Sequence, residues 1–175
     1  MKDVTSTSFG LVIAFLLPGL ACFYALSLWF TKLREVLHKF LTTDANAGLF
    51  LLVLLTAISL GLLLSPFRYY LYERWLCKNY KLDTPDFSKL KQGGTLEAFR
   101  AAVDEYYRYH QFWGGMSIAM LIAYLGWLKN SWESDSISIA LSFVLFFLIE
   151  SVTVLAAVDA YKNYVTKTRP IMKGE

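Results

Sequence analysis

The run AGLFLLVLLTAISLGLLLSPF, from Ala47 to Phe67, decides the fold class of this chain, because it contains no charged residue. A bilayer hydrocarbon core about 30 Å thick needs about 20 helical residues to cross it. Lipid offers no hydrogen-bond partner to the backbone, so a crossing segment must satisfy its own N–H and C=O groups. The run is therefore predicted to be a transmembrane α-helix.

Three more apolar runs are long enough to cross a membrane. They cover residues 9–30, 112–128 and 137–158, and the last is interrupted only by Glu150. Only 18% of the chain is charged, against about 25% in soluble domains, and none of the runs has the polar face that a helix of a soluble bundle needs. We predict an all-α integral membrane protein, with four transmembrane helices in one membrane domain that spans residues 1–175.

The first run raises an alternative, because PGLAC, from Pro18 to Cys22, is similar to a lipoprotein cleavage site. The preceding region has Lys2 balanced by Asp3, and Gly19 stands where such sites prefer leucine. The first run is therefore kept as a span. Without it the protein would have three spans, and its two ends would lie on opposite sides of the membrane.

Lysine and arginine divide unevenly between the two sides that four spans create. Thirteen lie at the N-terminus, in the middle segment 68–111 and in the tail 159–175, whereas four lie in the two other loops. Basic loops stay in the cytoplasm, so both termini and the middle segment are predicted to be cytoplasmic. The chain also resembles, in general plan, small four-span proteins of bacterial inner membranes, and that likeness implies a multi-pass protein of this membrane.

Segments outside the spans are also predicted to be helical. Apolar residues recur at helical spacing after the first span, at Leu33, Val36, Leu37, Phe40 and Leu41. They predict an amphipathic helix on the outer surface, or a continuation of the first span. In the middle segment, the run that starts at Thr95 has no helix breaker before the third span, so we expect one helix to continue into the membrane.

Aromatic and basic residues cluster where the second span ends and the third begins. Tyrosine and tryptophan collect at membrane interfaces, and arginine can reach lipid phosphates. The candidate interfacial or headgroup-binding residues are Arg68, Arg74, Tyr106, Arg108, His110 and Trp113. They form either a general interfacial belt or a specific headgroup pocket. His110 is either a pH sensor or a solvated side chain. Eight cations against six acids in the middle segment are too few for a nucleic-acid surface.

Glu150 is the sharpest functional candidate, because it lies nine residues inside the fourth span as counted from Asp159. That spacing puts it about 13 Å deep, where a charge costs a few kcal/mol. Residues at matching depth on the other spans are Pro18, Thr56, Ser59 and Ser117. The group is either an ion or proton site, or a neutral acid that hydrogen-bonds a neighbouring helix and fixes packing.

Small residues recur every fourth position in two spans. They are Ala57, Gly61 and Ser65 in the second span, and Gly115, Ala119 and Ala123 in the third. Such stripes let helix backbones approach closely in lipid. They either close the bundle within one chain or join protomers.

Enzyme chemistry finds no support in the sequence. There is no glycine-rich phosphate loop and no histidine pair at metal-ligand spacing, so no catalytic residue, metal site or cofactor is predicted. Cys22 lies in a span and Cys77 in the predicted cytoplasm, so the two are expected to be unpaired packing residues.

Three functions remain. The first is an oligomeric membrane component whose middle segment docks a cytoplasmic protein partner. The second is an oligomeric ion channel or pore-forming effector, of toxin or defence type, that uses Glu150. The third is a small-ligand transporter acting as a dimer. Small multidrug transporters also have one membrane glutamate, but theirs lies in the first span of a shorter chain, so their mechanism is not carried over.

Overall fold

The computed structural model describes residues 10, 12–42, 46–80, 94–131 and 136–173, and the regular structure in these ranges is helical. The predicted all-α class is therefore confirmed. The five long helices are α1 (Val12–Ser27), α2 (Thr31–Leu41), α3 (Ala47–Leu76), α4 (Thr95–Asn130) and α5 (Ser136–Lys173). A short 3₁₀ helix, Lys78–Tyr80, follows α3.

Three of these helices, α3, α4 and α5, are long and apolar enough to cross a membrane. The first apolar helix is shorter than the predicted span 9–30, because α1 ends at Ser27 and Phe30 is extended. The Arg34 guanidinium donates to the carbonyls of Ser27 and Leu28, at 3.3 and 3.2 Å. These bonds satisfy the last carbonyls of α1, so the helix stops there.

The break at Phe30 also decides between the two alternatives for the next segment. The helix α2 is separate from α1, and its residues are exposed or half-buried. It contacts α1 and α3, and the ring of Phe40 stacks on that of Phe50 with centroids 6.3 Å apart. The expectation that the first span continues is therefore wrong, and the amphipathic helix after it is observed.

The helix α1 packs against both α3 and α4. A Cβ atom on Gly19 would lie 1.8 Å from the carbonyl oxygen of Ala57, and one on Gly61 would lie 2.0 Å from that of Phe15. Two helix backbones therefore touch at this crossing, which only glycine permits. One residue from each of these three helices, Cys22, Leu64 and Ala119, belongs to a buried apolar cluster.

The helices α3, α4 and α5 continue past their apolar runs and pack against one another there. We call this part the helical extension, and it comprises residues 68–80, 95–111 and 159–173. It has its own core, in which Cys77, Tyr161 and Val165 are buried. The tail is thus part of α5 and packs against the middle segment. Residues 81–93 of that segment lie outside the described residues.

Candidate functional site

Polar side chains meet between α3, α4 and α5 where the helical extension joins the apolar bundle. They form two groups. The first, the ion cluster, comprises Arg68, Glu73, Tyr107 and His110. The second, the hydroxyl chain, comprises Tyr72, Ser117 and Glu150. Both groups draw residues from α3 and α4, and α5 supplies Glu150.

Two π-helical turns shape this site. Tyr69–Leu76 ends α3, and Val103–Tyr107 lies within α4. In the first turn, the Cys77 amide donates to the carbonyl of Tyr72 at 2.7 Å, five residues back. A π-helical turn changes which side chains share a face, and such turns recur at functional sites. Here the turn directs both Tyr72 and Glu73 toward α4.

The hydroxyl chain links all three helices. The Tyr72 hydroxyl donates to the Ser117 Oγ at 2.6 Å, and the Ser117 hydroxyl donates to the Oε1 of Glu150. The Oε2 of Glu150 is buried and has no hydrogen-bond partner among the described residues. One oxygen of this carboxyl group is therefore satisfied, while the other is shielded from solvent without a partner, which is costly.

The ion cluster contains a nearly buried salt bridge. Arg68 Nη1 lies 2.7 Å from Glu73 Oε1, with the side chains 4% and 11% exposed. The Tyr107 hydroxyl donates to the same oxygen at 3.2 Å, and the Arg68 guanidinium lies 5.5 Å from the centre of the Tyr107 ring. These extra contacts offset the cost of removing two charges from water.

His110 is fully buried beside this salt bridge. Its Nδ1 lies 2.8 Å from the carbonyl oxygen of Ala157, and its Nε2 lies 3.6 Å from Glu73 Oε1. A carbonyl oxygen can only accept a hydrogen bond, so Nδ1 must carry a proton. The Nε2 atom has no hydrogen-bond partner among the described residues.

Only one of the four residues predicted to lie near Glu150 contacts it, namely Ser117. Thr56 and Ser59 donate to the carbonyls of their own helix, at 2.7 Å to Leu52 and 2.8 Å to Leu55. Pro18 packs against Gly115 instead.

The six interfacial candidates separate into three kinds by burial. Arg68 and His110 are buried and face Glu73, so His110 is not a solvated side chain, and the headgroup contacts predicted for the two residues stay a prediction. Arg74 is exposed beside the Tyr70 ring. The remaining three are half-buried: Tyr106, Arg108, which pairs with Asp104 at 2.5 Å, and Trp113, which packs edge-on against Phe112.

The small-residue stripes lie largely inside the chain's own helix contacts. Ala57 and Gly61 meet α1, and a Cβ atom on Gly115 would lie 2.9 Å from the Cβ of Pro18. Ala119 belongs to the apolar cluster with Cys22 and Leu64. Ser65 lines a small cavity beside Arg68, and Ala123 is half-buried.

Sequence reasoning missed Tyr72, Glu73 and Tyr107. Arg68 and Glu73 are five residues apart, whereas side chains that meet on an α-helix are three or four residues apart. Their pairing depends on the π-helical turn, which leaves no mark in the hydrophobic pattern. No signal in the sequence could have identified the pairing of Arg68 with Glu73.

Other chemistry is limited in the part of the chain that the structure describes. No group of three or more His, Cys, Asp or Glu side chains there could hold a metal ion. Cys22 and Cys77 are free and buried. Burial raises the pKa of the Cys77 thiol, so it stays protonated and unreactive.

Comparisons of the chain with family models, curated proteins and solved structures gave no match. A functional conclusion therefore depends on the geometry of its own residues.

Proposed function

We propose that the chain is a four-span membrane protein whose helical extension docks a soluble protein in the cytoplasm. The packing of α1 supports the fourth span. Gly19 touches α3 at Gly61, and Pro18 touches α4 at Gly115, and both contacts fall within the apolar runs of their partners. Packing at that depth supports a position in the hydrocarbon, although α1, at about 24 Å, is shorter than a helix of the roughly 17 residues that a crossing needs.

The observation that carries the docking proposal is Trp75, whose side chain is 74% exposed. It lies eight residues beyond Phe67, which ends the second apolar run. At 1.5 Å per residue, Trp75 is up to about 12 Å past the hydrocarbon. The headgroup layer on each side is about 5 to 8 Å thick. At the upper end of that distance Trp75 lies beyond the lipid, and a large exposed aromatic side chain there supports a protein contact.

The neighbours of Trp75 indicate the chemistry of the partner. Tyr70, Arg74, Leu76 and Lys78 are also exposed on the helical extension. Tryptophan, tyrosine and arginine are the residues that dominate protein–protein binding energy. The partner we propose is a soluble protein with an apolar pocket for Trp75, bordered by acidic groups that pair with Arg74 and Lys78.

A photo-crosslinking residue in place of Trp75, tested in intact cells, checks this proposal. We expect one discrete protein adduct that Arg74→Glu abolishes, and none from the same probe at Leu148, which is exposed on the apolar part of α5. After identification by mass spectrometry, the purified partner should bind Trp75→Ala roughly 30-fold more weakly than wild type. Adducts to lipid alone at position 75 would contradict the docking proposal.

The environment of Glu150 supports a second candidate function, an oligomeric channel for ions or protons. The observation is its buried Oε2 atom, which has no partner in the described ranges. Such an atom could bind a proton or cation in transit. We expect ion flux in liposomes that falls at least tenfold in Glu150→Gln, since the amide cannot ionise. Equal flux in Glu150→Gln and wild type would exclude this path.

We also propose a homo-oligomer, because a single chain with one charged residue in its spans cannot build a midplane transport site. The exposed apolar side chains of α5 are not evidence for an oligomer, because lipid covers such side chains without a cost in free energy. Sedimentation in detergent tests the oligomer directly. If the protein is a monomer at all concentrations, both the channel hypothesis and the transporter hypothesis are wrong.

A further inference from the structure

We propose that His110 and Glu73 form a proton-binding site, in which a proton taken up at His110 Nε2 bridges the two side chains. The proposal goes beyond partner docking, and it needs neither a partner nor an ion path. It begins from the tautomer of His110. Because Nδ1 donates to the carbonyl of Ala157, the neutral ring has only a lone pair at Nε2.

The nearest charged atom to that lone pair is itself an acceptor. Glu73 Oε1 lies 3.6 Å from Nε2 and 2.7 Å from Arg68 Nη1. The arginine is always protonated and keeps Glu73 as a carboxylate. Two acceptors thus face each other across a contact that one proton would turn into a charge-assisted hydrogen bond. The contact, at 3.6 Å, is longer than such a bond.

The surroundings suit an imidazolium. The groups that face His110 are Arg68, Tyr72 and Glu73 on α3, Tyr107 on its own helix, and Tyr161 on α5, with Tyr164 packed against Tyr107 and Tyr161. Three of the aromatic rings have centroids 4.9 to 6.0 Å from that of His110. Aromatic rings stabilise a nearby cation. Arg68 is the only like charge in this group of facing residues, and Glu73 neutralises it.

The same arrangement disfavours a metal ion as the occupant. Arg68 Nη1 lies 2.7 Å from Glu73 Oε1, and its positive charge would repel the ion. A proton adds no volume. In the binding step, hydronium gives its proton to Nε2, one N–H bond forms, a water molecule leaves, and the charge of the site rises by one.

Proton uptake has a structural consequence at the base of the helical extension. Closing the contact from 3.6 Å to a charge-assisted length of about 2.8 Å draws the π-helical turn Tyr69–Leu76 toward α4. That turn also contains Tyr72, whose hydroxyl leads through Ser117 to Glu150. Protonation of His110 thus affects the position of the helical extension and, through Tyr72 and Ser117, that of the intramembrane carboxyl group of Glu150.

Nitrogen-15 NMR of histidine-labelled protein in lipid nanodiscs tests the site, because the chain has only two histidines. The other, His38, is exposed on α2 and serves as an internal reference, with His38→Gln assigning the signals. We expect Nδ1 of His110 to be protonated throughout, and Nε2 to gain a proton reversibly as the sample is acidified from about pH 8 to about pH 5. A Nε2 atom that stays unprotonated over that range would overturn the proposal, and this wild-type measurement needs no variant to fold.

The Glu73→Gln variant tests the carboxylate. At one fixed, mildly acidic pH we expect the ratio of protonated to neutral His110 to fall roughly tenfold or more, since the amide removes the nearby negative charge that favours the imidazolium. Glu105→Gln removes an exposed acid from the same helix as His110 and should leave the ratio unchanged. An equal ratio in Glu73→Gln and wild type would also overturn the proposal, whatever the outcome of the docking experiment.

Discussion

At the scale of single residues, Glu150 is held by partners from two other helices. Ser117 on α4 contacts it, and Tyr72 on α3 contacts Ser117. The three helices are thus joined by hydroxyl groups that have few alternatives in lipid. This is the arrangement expected of a polar group that fixes helix packing, and it is also the arrangement that a proton or ion site would use.

Replacing Ser117 with alanine tests how much the hydroxyl chain stabilises the bundle. The variant leaves the Tyr72 hydroxyl and Glu150 without their shared partner, so we expect the free energy of unfolding to fall by about 1–3 kcal/mol. Urea unfolding in detergent, followed by circular dichroism, measures this. The control is Ser151→Ala, because Ser151 is exposed and donates only to its own helix at Phe147. Equal stability of the two variants would mean that the hydroxyl chain contributes nothing to the stability of the bundle.

Depth counting along the spans identified Ser117 as a neighbour of Glu150, because regular helices keep a fixed rise per residue. The same counting also selected Thr56 and Ser59, whose hydroxyls bond their own helix instead. Depth alone gives no rotational position, which depends on how helices pack. The ion cluster could not be predicted at all, since Arg68 and Glu73 meet only through a π-helical turn.

At the scale of elements, the helices α1 and α3 cross with their backbones in contact. Gly19 and Gly61 let backbone meet backbone. The sequence showed a stripe of small residues, but it could not decide between packing within a chain and packing between chains. The predicted continuity of α4 is confirmed, because the helix extends from Thr95 to Asn130 without a break. The first span was predicted to reach Phe30, whereas α1 ends at Ser27, and Arg34, six and seven residues further along the chain, donates to the carbonyls of Leu28 and Ser27.

Replacing Gly61 with alanine tests the crossing. The added methyl group would lie 2.0 Å from a backbone oxygen, which cannot move independently of its helix, so we expect a loss of about 1–3 kcal/mol from overpacking. The matched control is Gly48→Ala at the start of α3, where the nearest atom is the Asn46 side chain at 3.3 Å. That control should be neutral or slightly stabilising. Thermal unfolding in detergent compares the two variants. Equal unfolding midpoints would contradict the backbone contact between α1 and α3.

At the scale of the whole molecule, an apolar bundle and a helical extension share three continuous helices. The bundle could be predicted from hydropathy, because long uncharged runs have few alternatives to crossing a membrane. The extension was predicted to be helical but not to include the tail, since packing between α5 and the middle segment has no local signal. The oligomer and the partner stay predictions.

The side of the membrane that each loop occupies is the most direct test of four spans. Single cysteines at Ser6, His38, Lys129 and Lys167 can be labelled in intact cells with a membrane-impermeant maleimide, and the two native cysteines are buried and should not react. Four spans predict labelling at His38→Cys and Lys129→Cys, and labelling at Ser6→Cys and Lys167→Cys only after permeabilisation. If Ser6→Cys reacts in intact cells together with His38→Cys, α1 does not cross the membrane and the four-span account is wrong.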